Sequence, residues 1–296
     1  THIDFSSVTN PAVGMQWTDA SGEVHSGTSI PPLATDTTGG AFPGGSVRWT
    51  NLGSEAGKAF DLLVTVSDPP TFSSELVDVE YWSPSSSTAS QALLTSSGFA
   101  CLGLGLRTAY CESGSAVDGE STTCADGTPT TMRGGEFHFR FVEAGTSTSM
   151  PAFERMHMSF YDVDGDVTVR ASGSWGVREL VSVFGAASRT FAPSSTLEGG
   201  FFFPSEALYA LATSNVNVPV DFSDAVAPSA LSLPAVATFE ITGASSFKVL
   251  LGGVNSKIST DGAAEKSDRG YCFAMVRPEL GVECPAQMSP PPPPHP

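Results

Sequence analysis

Apolar and polar residues alternate along much of this chain with a period of two, the spacing of a strand whose successive side chains point to opposite faces of a sheet. The clearest case is EFHFRFVE (Glu136–Glu143), which sets Phe137, Phe139 and Phe141 inward against His138 and Arg140 outward. Pro151–Ser172 (PAFERMHMSFYDVDGDVTVRAS) reads as strand, acidic turn, strand, with Met156, Met158 and Phe160 on one face and Val167 and Val169 resuming the pattern after DVDGD. Ser46 opens a hairpin-like pair, VRWTNLG and AFDLLVTVS, around the polar turn SEAGK. Further strands are read at Leu76–Trp82, Val177–Phe184, Val218–Phe222, Ala235–Thr242, Phe247–Leu251 and Tyr271–Val276. Only Pro204–Thr213 (PSEALYALAT) reads as a helix, short and with Pro at its start. About nine or ten strands at this spacing predict an all-β fold, an antiparallel β-sandwich of jelly-roll type.

The pattern fades at both ends and once in the middle. Residues 1–45 carry Pro, Gly and Thr at short intervals and little alternation beyond Met15–Trp17, so they read as an extended N-terminal arm with at most one early strand. Residues 46–284 form the single sandwich domain. Within it, 83–135 is a long, weakly patterned loop holding three cysteines, and a loop of that length is expected to be pinned or functional. Residues 285–296 are a Pro-rich tail. Its run Ser289, Pro290, Pro291, Pro292, Pro293, Pro294 cannot donate to a ladder and settles into a polyproline II helix, a rod suited to assembly or glycosylation.

Charge narrows the partners. The 296 residues hold 14 Lys and Arg against 31 Asp and Glu, a net charge of −17, so the surface repels phosphate backbones and nucleic acid is not an expected partner. No run approaches the ~18 apolar residues of a membrane helix, and the opening HIDFSS lacks the basic and apolar regions of a signal peptide, so a mature secreted product is expected. No Asn begins an N-x-Ser/Thr sequon, which leaves O-linked glycans. Five cysteines without a CxxC pair favour disulfides in an oxidising compartment over a zinc ribbon. The local pairs Cys111–Cys124 and Cys272–Cys284 are preferred, with Cys101 free or bonded to another chain, while spacing leaves other connectivities open.

Few residues suggest chemistry. Asp162, Asp164 and Asp166 alternate around Gly165, an arrangement that calcium accepts because it takes six to eight oxygens in irregular loops; the plain alternative is a solvated acidic turn. It is not an EF-hand, since the Gly comes early and strands flank it. His138 and His157 would bracket a metal only if their strands were neighbours, and they supply two of the usual three or four ligands. Asp78 and Glu80 share a strand face, as the carboxylates of a glycoside hydrolase do, but LVDVEYW lacks a further acidic residue after Glu80 and a solvated strand face is the preferred reading. No GxSxG or HExxH motif is present, CLGLGL lacks the third Gly of a dinucleotide fingerprint, and no enzymatic role is expected. Trp17, Trp49, Trp82, Trp175 and the run Phe201–Phe203 either fill the core or offer flat faces to sugars or a partner chain.

The combination VRWTNLG…AFDLLVTV, FHFRFVEAGTSTSMPAFERMHMSFYDVDGD, VTVRASG and FEITGASSFKVLLGGV resembles a repeated type of extracellular β-sandwich domain in secreted and surface proteins of algae and other protists. The tail SPPPPPHP is similar to hydroxyproline-rich segments of algal wall glycoproteins of the pherophorin and extensin kind. The resemblance implies secretion, O-glycosylation of hydroxyproline or Ser/Thr, a place in wall, mastigoneme or other extracellular assemblies, and no catalytic residues. The expected function is therefore a structural subunit of an extracellular glycoprotein assembly, a filament or fibre that self-associates through arm and tail. The rival expectations are a calcium-dependent glycan-binding module and, behind it, a glycoside hydrolase.

Overall fold

The computed structural model describes residues 13–18, 23–27, 29–30, 46–66, 92–94, 98–105, 109–110, 132–170, 173–199, 201–202, 207–213, 218, 224–255 and 268–278. Nineteen strands are defined in them: β1 (Gly14–Thr18), β2 (Val24–Gly27), β3 (Ser29–Ile30), β4 (Ser46–Glu55), β5 (Lys58–Val66), β6 (Ala92–Leu94), β7 (Ala100–Gly105), β8 (Ala109–Tyr110), β9 (Met132–Glu143) and β10 (Phe153–Tyr161). Then follow β11 (Gly165–Arg170), β12 (Gly173–Phe184), β13 (Ala186–Phe191), β14 (Leu197–Glu198), β15 (Phe201–Phe202), β16 (Ala207–Ala212), β17 (Ala237–Ala244), β18 (Ser246–Asn255) and β19 (Asp268–Ala274). They form two antiparallel sheets. The larger runs β14-β16-β12-β18-β9-β5-β4-β1-β2, with β8, β11 and β15 added beside it; the smaller runs β13-β17-β10-β19-β7-β6-β3. The expected antiparallel sandwich is what forms.

The core lies between the sheets and is lined by the alternating residues that the sequence marks. Phe137, Phe139 and Phe141 on β9 are at most 1% exposed, and so are Met156, Met158 and Phe160 on β10. Rings interlock across the gap. Phe153 and Phe141 meet edge to face at 5.0 Å, Phe139 and Phe273 at 5.4 Å, and Trp49 and Phe273 at 5.6 Å. Contacts of this geometry each add roughly 0.5–1.5 kcal/mol to the area they bury. Trp49 is thus core rather than a sugar platform.

Three expectations change. The stretch 1–45 is not all arm: β1 pairs with β4 in the register Met15↔Trp49, and Val13 and Met15 are 6% and 1% exposed. Its alternation was too brief to weigh against the surrounding Pro and Gly. Within 83–135, expected to be a loop, lie β6, β7 and β8. The stretch read as a helix is β16, paired to β12 as Leu180↔Leu211 through Val183↔Leu208. Its Leu208, Ala210 and Ala212 face the inter-sheet core, while Leu211 and Tyr209 join Leu180 and Leu250 in a second apolar cluster. A strand buried on both faces loses its alternation, and tertiary contacts override the helical preference of Ala and Leu.

Candidate functional site

The acidic run Asp162–Asp166 is a corner at which the chain leaves one sheet and enters the other. β10 ends at Tyr161 in the smaller sheet and β11 begins at Gly165 in the larger. Asp162 makes the bend at φ +63°, a left-handed conformation that Asp tolerates better than most residues. Val163 then drops fully into the core and donates its N–H to the Ala235 carbonyl at 3.0 Å. Asp164 is 3% exposed; its carboxylate accepts the Val218 N–H, and its carbonyl accepts the Glu179 N–H at 2.7 Å. Of the three aspartates, Asp164 is therefore committed to the chain itself. The side chain of Asp166 lies outside the described residues, and among those described no group of three or more His, Cys, Asp or Glu is placed to hold a metal ion.

Two further buried carboxylates are also spent internally. Asp61, 1% exposed, accepts from Arg48 Nη1, the Asn51 N–H and the Gly145 N–H, each at 2.9 Å. It ties an irregularity in the β4–β5 pairing to the loop after β9, where Asn51 and Gly145 both carry positive φ. Glu136, whose side chain is fully buried, pairs with Lys248 at 3.0 Å on the neighbouring strand. Such acids hold strands together.

The two histidines do not meet. His138 lies on β9 of the larger sheet and His157 on β10 of the smaller, so the two-histidine metal arrangement fails on topology. Desolvation, with the positive charges of Arg140 and Lys248, holds His138 below its ordinary 6.5 despite Glu136. His157 lies 3.3 Å from Glu240, yet burial keeps its imidazole below 6.5 as well.

The cysteine pairing preferred from local spacing is corrected. Cys101 on β7 bonds Cys272 on β19, 171 residues away, so Cys101 is not free and Cys272 is not joined to Cys284. The two are cross-strand partners in register, with Cα atoms 4.1 Å apart. Both are fully buried on the outer side of the smaller sheet, beside Phe99, Tyr161, Ala225 and Val236. Tyr161 donates its hydroxyl to the Ala225 carbonyl, fastening the segment around Ala225 over the bridge, and burial raises the phenol's pKa above its ordinary 10.0. Cys111, Cys124 and Cys284 lie outside the described residues, as do Asp78, Glu80, Trp82, Phe203 and the tail Ser289–Pro294. So do the side chains of Trp175, Phe201 and Phe202. Trp17, partly buried, stacks on His25 at 5.5 Å at the margin of the larger sheet. Sequence reading passed over Asp61, which looks like any polar residue on the solvent phase of a strand.

No protein-family model matches the chain, and no curated protein matches it. Solved structures that it overlaps include the N-terminal domain of the Streptococcus gordonii adhesin Sgo0707, at 11% identity over 93% of this chain and 63% of that one, with a TM-score of 0.44. The adhesin domain of PrgB from Enterococcus faecalis bound to DNA gives 12% identity, 78% and 66% coverage and a TM-score of 0.36. The glucan binding protein C of Streptococcus mutans gives 12%, 80% and 60%, with a TM-score of 0.36. The chain spans less than two thirds of the length of each. Overlaps this loose do not bear on what it binds.

Proposed function

We propose that this protein is a structural subunit of an extracellular assembly, a filament or surface fibre built by repeated contacts between copies. The observation that carries the reading is the use made of three of the four buried acids among the described residues: Asp61, Glu136 and Asp164 serve strand pairing or corners, as befits a scaffold. The buried Cys101–Cys272 bridge supports secretion, because such bonds form and persist in oxidising compartments. The likeness of its motifs to wall and surface glycoproteins, and O-glycans on Ser/Thr or the tail, belong to the same proposal. Electron microscopy of the native material tests it. Polymers are expected, and monodisperse particles of one chain at physiological salt would overturn it.

Calcium enters as a second reading. With Asp164 engaged by Val218, an ion at the corner would draw on Asp162 and Asp166. A rise in Tm with millimolar calcium, together with glycan binding that chelation abolishes, would favour the lectin-like alternative.

A further inference from the structure

We infer that the Cys101–Cys272 bridge is a stop that limits how far this protein stretches when it is pulled by its two ends. The inference goes beyond the assembly reading and does not depend on it. A chain under tension carries force along its shortest covalent path. Here that path runs from Thr1 to Cys101, crosses the two sulfurs to Cys272 and continues to Pro296, so the backbone of residues 102–271 is bypassed.

Strand order gives the bypass a structural meaning. The strands that precede Cys101 are β1–β6. They lie together at one end of each sheet, β5-β4-β1-β2 in the larger and β6-β3 in the smaller. The bypassed strands β8–β18 fill the rest of both sheets, and β7 and β19, which hold the two cysteines in register, stand between the groups in the smaller sheet. Among the described strands the two groups are not interleaved. Had they alternated across a sheet, drawing out β1–β6 would break up everything else; as it is, β1–β6 can leave as a block.

Two seams hold that block. β6 lies on β7 from Ala92↔Leu102 to Leu94↔Ala100, and β5 lies on β9 from Phe60↔Glu143 to Val66↔Phe137. The β5 seam is longer and more heavily fastened. Asp61 accepts the Gly145 N–H at 2.9 Å, Ala144 donates to the Ala59 carbonyl at 2.9 Å, and Phe60 meets Phe141 and Phe153 edge to face at 5.7 and 5.5 Å. Tension therefore meets a yield point where β5 leaves β9 and then a limit at the bridge, because ladders and ring contacts part long before a covalent bond does. Fully drawn out, the path through the bridge measures about 450 Å, against about 1,060 Å for the whole chain.

Single-molecule force spectroscopy tests this on the full chain held between handle domains fused to both ends. In oxidising buffer the wild-type protein should reach its limit about 600 Å short of the Cys101→Ser/Cys272→Ser variant. The limit is read on the drawn-out chain, so it holds whether or not that variant folds. Equal limits for the two proteins would overturn the inference. Asp61→Asn, which loosens the β5 seam and spares the bridge, should yield at lower force than wild type and stop at the same length. Yielding at the wild-type force would sink the assignment of β1–β6 as the part that gives.

Discussion

Asp61 is the residue whose loss the structure should feel most. Its carboxylate accepts three hydrogen bonds in a nearly dry position, one of them from a guanidinium. Asp61→Ala strands Arg48 and two backbone donors, and urea titration should show a loss of about 3 kcal/mol, the scale of breaking a buried ion pair. Ala56 runs the other way. With Gly57 it makes the two-residue turn between β4 and β5, and both have positive φ, 49° and 78°. That is type I′ geometry, which suits Asn or Gly better than Ala. Ala56→Asn is expected to raise stability by roughly 0.5–1 kcal/mol. The histidines set an acid limit. His138 and His157 are both held below 6.5, so below that pH the unfolded chain binds protons that the folded chain resists. Their effect on stability is thus absent above 6.5 and becomes a penalty as pH falls toward their folded values. Tm measured from pH 8 to 5 should fall more gently in the His138→Gln/His157→Gln variant than in wild type.

Strands exposed on one side declare themselves in the sequence, and those buried on both sides do not. β9 and β10 are legible because His138, Arg140, Arg155 and His157 keep a polar phase against the Phe and Met positions. β16 hides because ALYALA has no polar phase to keep; its outer face packs on Leu180 and Leu250. The DVDGD run is legible as a turn, but its role as a passage between sheets depends on Ala235 and Val218, which come from distant parts of the chain. Cysteine pairing was the least readable feature, because the register of β7 on β19 decides it and local spacing does not. Closing a 171-residue loop stabilises by about 5 kcal/mol on a chain-entropy account. Cys101→Ser/Cys272→Ser should lower Tm sharply. In the intact protein, dithiothreitol should reduce this bridge only at denaturant concentrations that open the segment around Ala225.

Across the molecule, strong negative charge opposes the contacts between copies that the assembly reading requires. Screening shortens the repulsion to about 8 Å at physiological ionic strength, while packing between copies acts at contact distance. Assembly followed by light scattering should therefore be slow at 10 mM salt and faster at 150 mM, the opposite of a contact held by complementary charges. The Cys101–Cys272 bridge has a bearing on how long such a fibre would last. A protease that cuts once anywhere between residues 102 and 271 produces two pieces that remain covalently joined. Nicked subunits would keep their place in the fibre, run as one band in SDS and come apart only with reductant, so wear would accumulate without shedding material.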